Sequence, residues 1–177
     1  MSHIAIFEVP TYHKLLCITD AGINIAPGLK KKVHILRNAV AAYHKLGVAK
    51  PKVACICAVE KINPKMKCTL DAAKLAAMSR DGRIEGAIIE GPYALDNAID
   101  AEAAKIKGIK GEVVGDADIL LCPEIATANV LYKSLAYLGK CNGAAIVAGT
   151  SAPVILTSRA DAERVKFSSI SLAIAIS

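Results

Sequence analysis

The sequence predicts an α/β fold: a layered α/β/α domain on a largely parallel sheet with a mixed edge. Three observations lead there. Short apolar runs of strand length alternate with segments whose apolar residues recur at helical spacing. The core is aliphatic, with 54% hydrophobic residues but only 4% aromatic ones, as close-packed layers of helix and sheet favour. A length of 177 residues suits one sizeable domain and is short for two ordinary ones.

Taken in order, HIAIFEV (3–9) and LLCITD (15–20) read as two strands joined by a short polar connection holding Pro10 and Tyr12. From Leu29 to Leu46, the residues Val33, Leu36, Val40 and Tyr43 mark one helix face, and Gly47 stands where a helix stops. VACICAV (53–59) is continuously apolar, which fits a strand covered on both faces. A second helix is expected from Thr69, as N-cap, to about Arg80. GAIIEGP (86–92) predicts another buried strand, and residues 100–107 a short helix. Next come ADILLCP (117–123), a helix from Thr127 to Leu138, the strands GAAIVAG (143–149) and VILT (154–157), and a last helix from about Asp161. Such alternation implies right-handed crossovers between parallel strands, with the first two strands forming the mixed edge.

Several function classes are disfavoured. The 22 basic and 16 acidic residues give a net charge of +6, but the lysines are scattered and no nucleic-acid motif accompanies them. Scarce aromatics also argue against base stacking. The apolar runs are too short to span a bilayer. Six cysteines sit mostly inside apolar runs with no CxxC, and the four histidines lack ligand spacing. Buried free thiols in a reducing cytoplasm are therefore expected, with no metal site. Walker-type loops, GxGxxG after a strand and GxSxG elbows are not found.

The segment 151–161, SAPVILTSRAD, carries the first candidate chemistry. Ser158 and Arg159 stand where an apolar run gives way to a polar helix. The unpartnered N–H groups and positive dipole of a helix N-terminus attract anions, and a planar guanidinium suits phosphate. Ser158 and Asp161 also have capping-box spacing, which needs no ligand. Arg159 in a first helical turn would oppose the dipole unless an anion were near. PEIATANVLYKS (123–134) opens a helix after a strand, at the sheet edge where such folds bind ligands. Asn129 and Lys133 share a face there, either as substrate ligands or as a polar stripe. GPYALDNA (91–98), with Asp96 and Asn97, and TDAGINIAP (19–27), with Asp20 and Asn24, read first as turn chemistry.

TDAGINIAP, KINPKM (61–66), GPYALDNA, ADILLCP followed by ANVLYKSLAYL (128–138), and SAPVILTSRAD occur in the order and spacing of phosphate butyryltransferases and their phosphate acetyltransferase relatives. The chain resembles that family along its whole length. The resemblance implies an isocitrate dehydrogenase-like fold and reversible transfer of a short acyl group, butyryl or acetyl, between coenzyme A and inorganic phosphate. Both are substrates; no tightly bound cofactor and no metal is implied. Ser158 would hydrogen-bond a reacting group and Arg159 would hold phosphate; Asp161 and Glu163 are the nearest acids for a base, with Asp161 the catalytic candidate, and Asn129 and Lys133 become substrate-binding candidates. The chain departs from the family pattern at Val165, where acetyl-type relatives place a catalytic aspartate; at residues 126–129, where E-A-G-N is common; and at Glu90, where aspartate is usual.

The resemblance covers the C-terminal part of a two-domain protomer. Residues 1–157 would form its C-terminal-type α/β domain, and residues 158–177 a final helix that in the family packs on the first domain. That first domain would supply a further phosphate-gripping arginine. A homodimer, and a separate N-terminal half as partner, are implied. The alternative is a non-catalytic dimerisation or coenzyme A-binding module derived from the family. A dehydrogenase of the related fold would want metal-binding aspartates and a nucleotide loop, and neither is found.

Overall fold

The computed structural model describes residues 1–152, 154–157 and 161–177. The strands are β1 (Ser2–Glu8), β2 (Leu15–Thr19), β3 (Lys52–Ile56), β4 (Ile88–Tyr93), β5 (Ile119–Leu121), β6 (Asn142–Ala148) and β7 (Val154–Ile155). The helices are α1 (Leu29–Lys45), α2 (Lys67–Arg80), α3 (Leu95–Ile99), α4 (Ala101–Ile106), α5 (Ile125–Lys133) and α6 (Glu163–Ala175). A π-helical turn, Ser134–Leu138, continues α5.

The strands form one sheet in the order β4-β3-β5-β2-β1-β6-β7. β4, β3, β5 and β2 run parallel. β1 is antiparallel to both neighbours, and β7 is antiparallel to β6. The fold is thus α/β as expected, with an antiparallel portion wider than the opening pair of strands implied. β1 can cross the sheet this way because its short connection to β2 makes a hairpin, whereas parallel neighbours need helical crossovers.

Strand alternation sorts the core into two layers. Ile4, Ile6, Val53 and Cys55 face α1, α2 and α6, whereas Ala5, Phe7, Ala54 and Ile56 face Ala98 of α3 and Ala128 and Tyr132 of α5. The α1 residues Val33, Leu36, Val40 and Tyr43 are all buried, as their spacing predicts. Gly47, at φ +88°, closes α1: its N–H donates to the His44 carbonyl and that of Val48 to the Tyr43 carbonyl. A residue with a Cβ would be strained there.

Four boundaries differ from the expectations. Thr69 lies inside α2, whose N-cap is Met66. Its hydroxyl instead donates to the Met66 carbonyl and accepts from the Asn63 N–H, bracing the preceding turn. The GPYALDNA run is more than a turn, because α3 starts at Leu95. α5 starts at Ile125, ahead of Thr127, because the Glu124 carboxylate caps it. α6 starts at Glu163 with Ala162 as N-cap, two residues after the expected start near Asp161.

α6 packs against β6. Its Leu172 and the C-cap residue Ile176 are buried in the first core layer, while Phe167 and Ile174 are exposed. Buried Ser169 accepts the Ala145 N–H at 2.9 Å and donates to the Val165 carbonyl at 2.7 Å, satisfying a strand-edge donor beyond the short β7. All six cysteines are free thiols, and five of them are buried. Among the described residues, no helix is long and apolar enough to cross a membrane.

Candidate active site

The C-terminal ends of the parallel strands, the start of β1 and the end of β6 lie at one edge of the sheet, as the pairings Ile4–Thr19 and Ser2–Ala148 require. Several motifs picked out in the sequence meet there. Ser158 and Arg159 lie outside the described residues; their flanks, Leu156 and Thr157 on one side and Asp161 on the other, are described.

Asp20 follows β2 and is buried. Its carboxylate accepts the N–H groups of Gly22, Ile23 and Asn24 at 3.0, 2.9 and 3.2 Å, and also the Asn24 side-chain amide. Asp20 therefore shapes its own loop, as the turn reading expected. That loop is joined to α5 twice. Asn129 Nδ2 donates to the Ala21 carbonyl at 3.2 Å, and the Ile125 N–H donates to the Ile25 carbonyl at 2.9 Å. Asn129 is thus at the predicted edge, with its amide turned to the loop. Lys133 is exposed, and its ammonium lies 5.6 Å from the centre of the Tyr137 ring.

The N-terminus of α5 is already filled from within. Glu124 accepts the N–H groups of Ala126 and Thr127 at 3.0 and 2.8 Å. The Thr127 hydroxyl and backbone N–H hold this carboxyl below the usual carboxylate range. An incoming anion would have to displace a carboxylate there, so this helix end is not an open anion site.

Asp161 accepts the Tyr132 hydroxyl at Oδ2, at 2.9 Å. Burial, and then the hydrogen bond to this carboxylate, push the Tyr132 phenol well above its ordinary range, so it stays protonated and donates. The Tyr132 ring packs edge-on against Phe7, with centroids 5.2 Å apart, and against His3 at 5.9 Å. His3 is only 6% exposed, and its Nδ1 has no hydrogen-bond partner among the described residues. Burial lowers its pKa, although Asp20, a hydrogen bond to the Leu156 backbone, and Asp161 each oppose that effect. The ring is neutral near pH 7.

The structure thus joins Asp161, Asn129 and the Asp20 loop to α5 and β1, and leaves Lys133 exposed near Tyr137. Tyr132 and His3 were passed over in the sequence. The signal for Tyr132 was available: it lies three residues after Asn129, on the same face of α5. The opposite face of α5, with Val130 and Leu131, lines a cavity of about 690 Å³ together with Ile56, Cys57, Met66 and Cys68. Glu90 has a structural task. It accepts the Tyr93 hydroxyl at 2.8 Å and the N–H groups of Glu112 and Val113 at 3.1 and 3.0 Å, tying down the loop before β5.

Comparison with known proteins identifies the family. Residues 1–174 match the family model described as phosphate acetyl/butaryl transferase. The chain is 53% identical to the phosphate butyryltransferase of Clostridium acetobutylicum over 173 residues, covering 98% of this chain and 58% of that protein. It is 45% identical to the phosphate acetyltransferase of Thermotoga maritima, covering 97% of this chain and again 58% of the relative. The crystal structure of a branched-chain phosphotransacylase from Enterococcus faecalis superposes with a TM-score of 0.92 at 39% identity, over 99% of this chain and 62% of that one. The chain therefore spans a little over half the length of these relatives. On its sequence and its fold alike, the chain belongs to the phosphate acetyl/butaryl transferase family.

Proposed function

We propose that this chain carries one wall of the active site of a phosphate butyryltransferase-type enzyme, which moves a short acyl group between coenzyme A and inorganic phosphate. The observation that supports it most is the 53% identity to a phosphate butyryltransferase across 98% of the chain. The Asp161–Tyr132 contact, two residues along the chain from Arg159, supports the placement of the site.

In the acyl phosphate direction, the coenzyme A thiol loses its proton to a base and its sulfur attacks the acyl carbonyl carbon. The C–S bond forms, the oxyanion collapses, and the bond to phosphate breaks. Asp161 is the proton acceptor in this reading, with one oxygen fixed by Tyr132. Ser158 hydrogen-bonds the reacting group, and Arg159 holds the leaving phosphate in a bidentate grip. Asn129 holds the Asp20 loop at the edge of the site, and Lys133 offers an exposed cation to the phosphates of coenzyme A. Coenzyme A and phosphate enter as substrates, no bound cofactor takes part, and the setting is cytoplasmic. The assembly is a homodimer.

Phosphate-dependent release of free thiol from butyryl-CoA tests the proposal. Release that requires both substrates and falls at least tenfold in Asp161→Asn supports it. A folded protein that releases no thiol contradicts turnover by this chain and favours a second reading, a coenzyme A-binding or dimerisation module. That reading draws on the length relation to the relatives and on the exposed apolar side chains of α6, Phe167 and Ile174.

A further inference from the structure

Helix α5 and the π-helical turn that continues it, residues 125–138, carry apolar side chains on two sides. One side is spent in the core: Ala128 and Tyr132 are buried, and Leu135 and Ala136 pack against the same layer. The other side is bare. Val130 is 66% exposed and Leu138 83% exposed. Thr127, Leu131, Ser134 and Leu138 follow one another at steps of four, three and four residues, the spacing of a seam between helices. The stripe is about 16 Å long. A helix that is apolar all round is ordinarily covered all round.

That bare side has a hole at one end and a knob at the other. Thr127, Val130 and Leu131 wall the cavity of about 690 Å³, with Ile56, Met66 and Cys68 opposite them. Leu138 stands in solvent at the far end. The side is also nearly free of charge. Residues 125–138 hold one charged side chain, Lys133, which lies 5.6 Å from the centre of the Tyr137 ring. The cavity adds only Glu124, whose carboxylate is engaged by the Ala126 and Thr127 N–H groups. Two chains of net charge +6 repel each other at most approaches, and an uncharged face is where they can meet.

We infer that a second copy of this chain docks on this face, the two α5 helices antiparallel about a two-fold axis and Leu138 of each copy seated in the cavity of the other. A two-fold axis makes every contact twice, so a face with both knob and hole is complementary to itself. Antiparallel pairing is the arrangement that brings the end of one stripe to the start of the other. Ala126, Thr127 and Ser134 are small enough to let the helices approach closely. The inference rests on the homodimer of the proposed function for the identity of the partner, and it adds the surface.

Sedimentation equilibrium of the wild type, Val130→Glu, Leu138→Glu and Phe167→Glu tests it. Positions 130, 138 and 167 are exposed, so the buried core is untouched, which circular dichroism checks. The wild type is expected to be a dimer. Val130→Glu and Leu138→Glu should weaken self-association about a hundredfold, and Phe167→Glu, on the exposed side of α6, should leave it unchanged. Cys68, a half-buried thiol in the cavity wall, reports the seating of Leu138. Its alkylation by iodoacetamide, read on the peptide that holds it, should be about tenfold faster in Leu138→Glu than in the dimeric wild type. A monomeric wild type, a dimer that survives both α5 substitutions, equal loss in Phe167→Glu, or equal Cys68 rates overturns the inference. Thiol release from butyryl-CoA is measured on the same samples. A dimer on this face that releases no thiol keeps the inference and removes the proposed function, and a monomer that turns over does the reverse.

Discussion

Lys32 of α1 and Asp71 of α2 meet at 2.8 Å, with both side chains less than a tenth exposed. The pair joins two of the three helices that cover one face of the sheet. An isolated buried charge is costly, whereas a matched apolar pair of similar size is tolerated. Lys32→Met alone should lower stability by about 3 kcal/mol or more, because it strands the Asp71 carboxylate. The double variant Lys32→Met with Asp71→Leu should return close to the wild type. Urea denaturation of the three proteins checks this.

Acid sensitivity should trace largely to the opposite edge of the sheet. Burial disfavours the charged form of Asp116, but hydrogen bonds from Lys14, Lys52 and His13 outweigh it and hold the carboxyl well below the usual range. The distances are 2.8, 2.7 and 2.7 Å. A folded-state pKa depressed in this way stabilises the protein above the unfolded value, about 3.9, and that stability is lost as pH falls through the folded one. Stability should therefore decline as pH drops below about 4. Asp116→Asn should flatten the decline, as read by denaturation midpoints between pH 6 and pH 3.

The Ser169 hydroxyl is the acceptor for the Ala145 N–H at the edge of β6. Ser169→Ala leaves a buried donor unsatisfied and should cost about 1–2 kcal/mol. Hydrogen exchange at Ala145 should rise by at least as much as the global change permits.

Glu124 is the N-cap of α5. Glu124→Ala should destabilise the protein by about 1 kcal/mol, and Glu124→Asn should restore most of it, since a shorter amide also caps well. Thermal melts at neutral pH are sufficient to see this.

The layers were legible in the sequence because periodicity records burial. Val53 to Ile56 form a run covered on both faces, and Val33, Leu36, Val40 and Tyr43 mark a single helix face. Boundaries were less legible because they depend on side chains that meet only after folding. Glu124 draws the start of α5 forward, and α6 begins at Glu163 although Ser158 and Asp161 have capping-box spacing. The candidate site was half legible. Asp161, Asn129 and the Asp20 loop lie in motifs that stand out along the chain. His3 and Tyr132 are brought together by an antiparallel β1 paired beside β2, a relation of 129 positions that no local pattern encodes. Arg159 was singled out by an argument from a helix start, and it lies outside the described residues. Its case now rests on its place beside Ser158 and on the family pattern.

The most direct test of the central claim is calorimetric titration of the wild type and Arg159→Ala with coenzyme A in the presence of inorganic phosphate. The account predicts saturable binding by the wild type and a loss of at least tenfold in affinity in the variant, about 1.4 kcal/mol. Equal binding by both proteins, or no binding by the wild type at millimolar ligand, would contradict it.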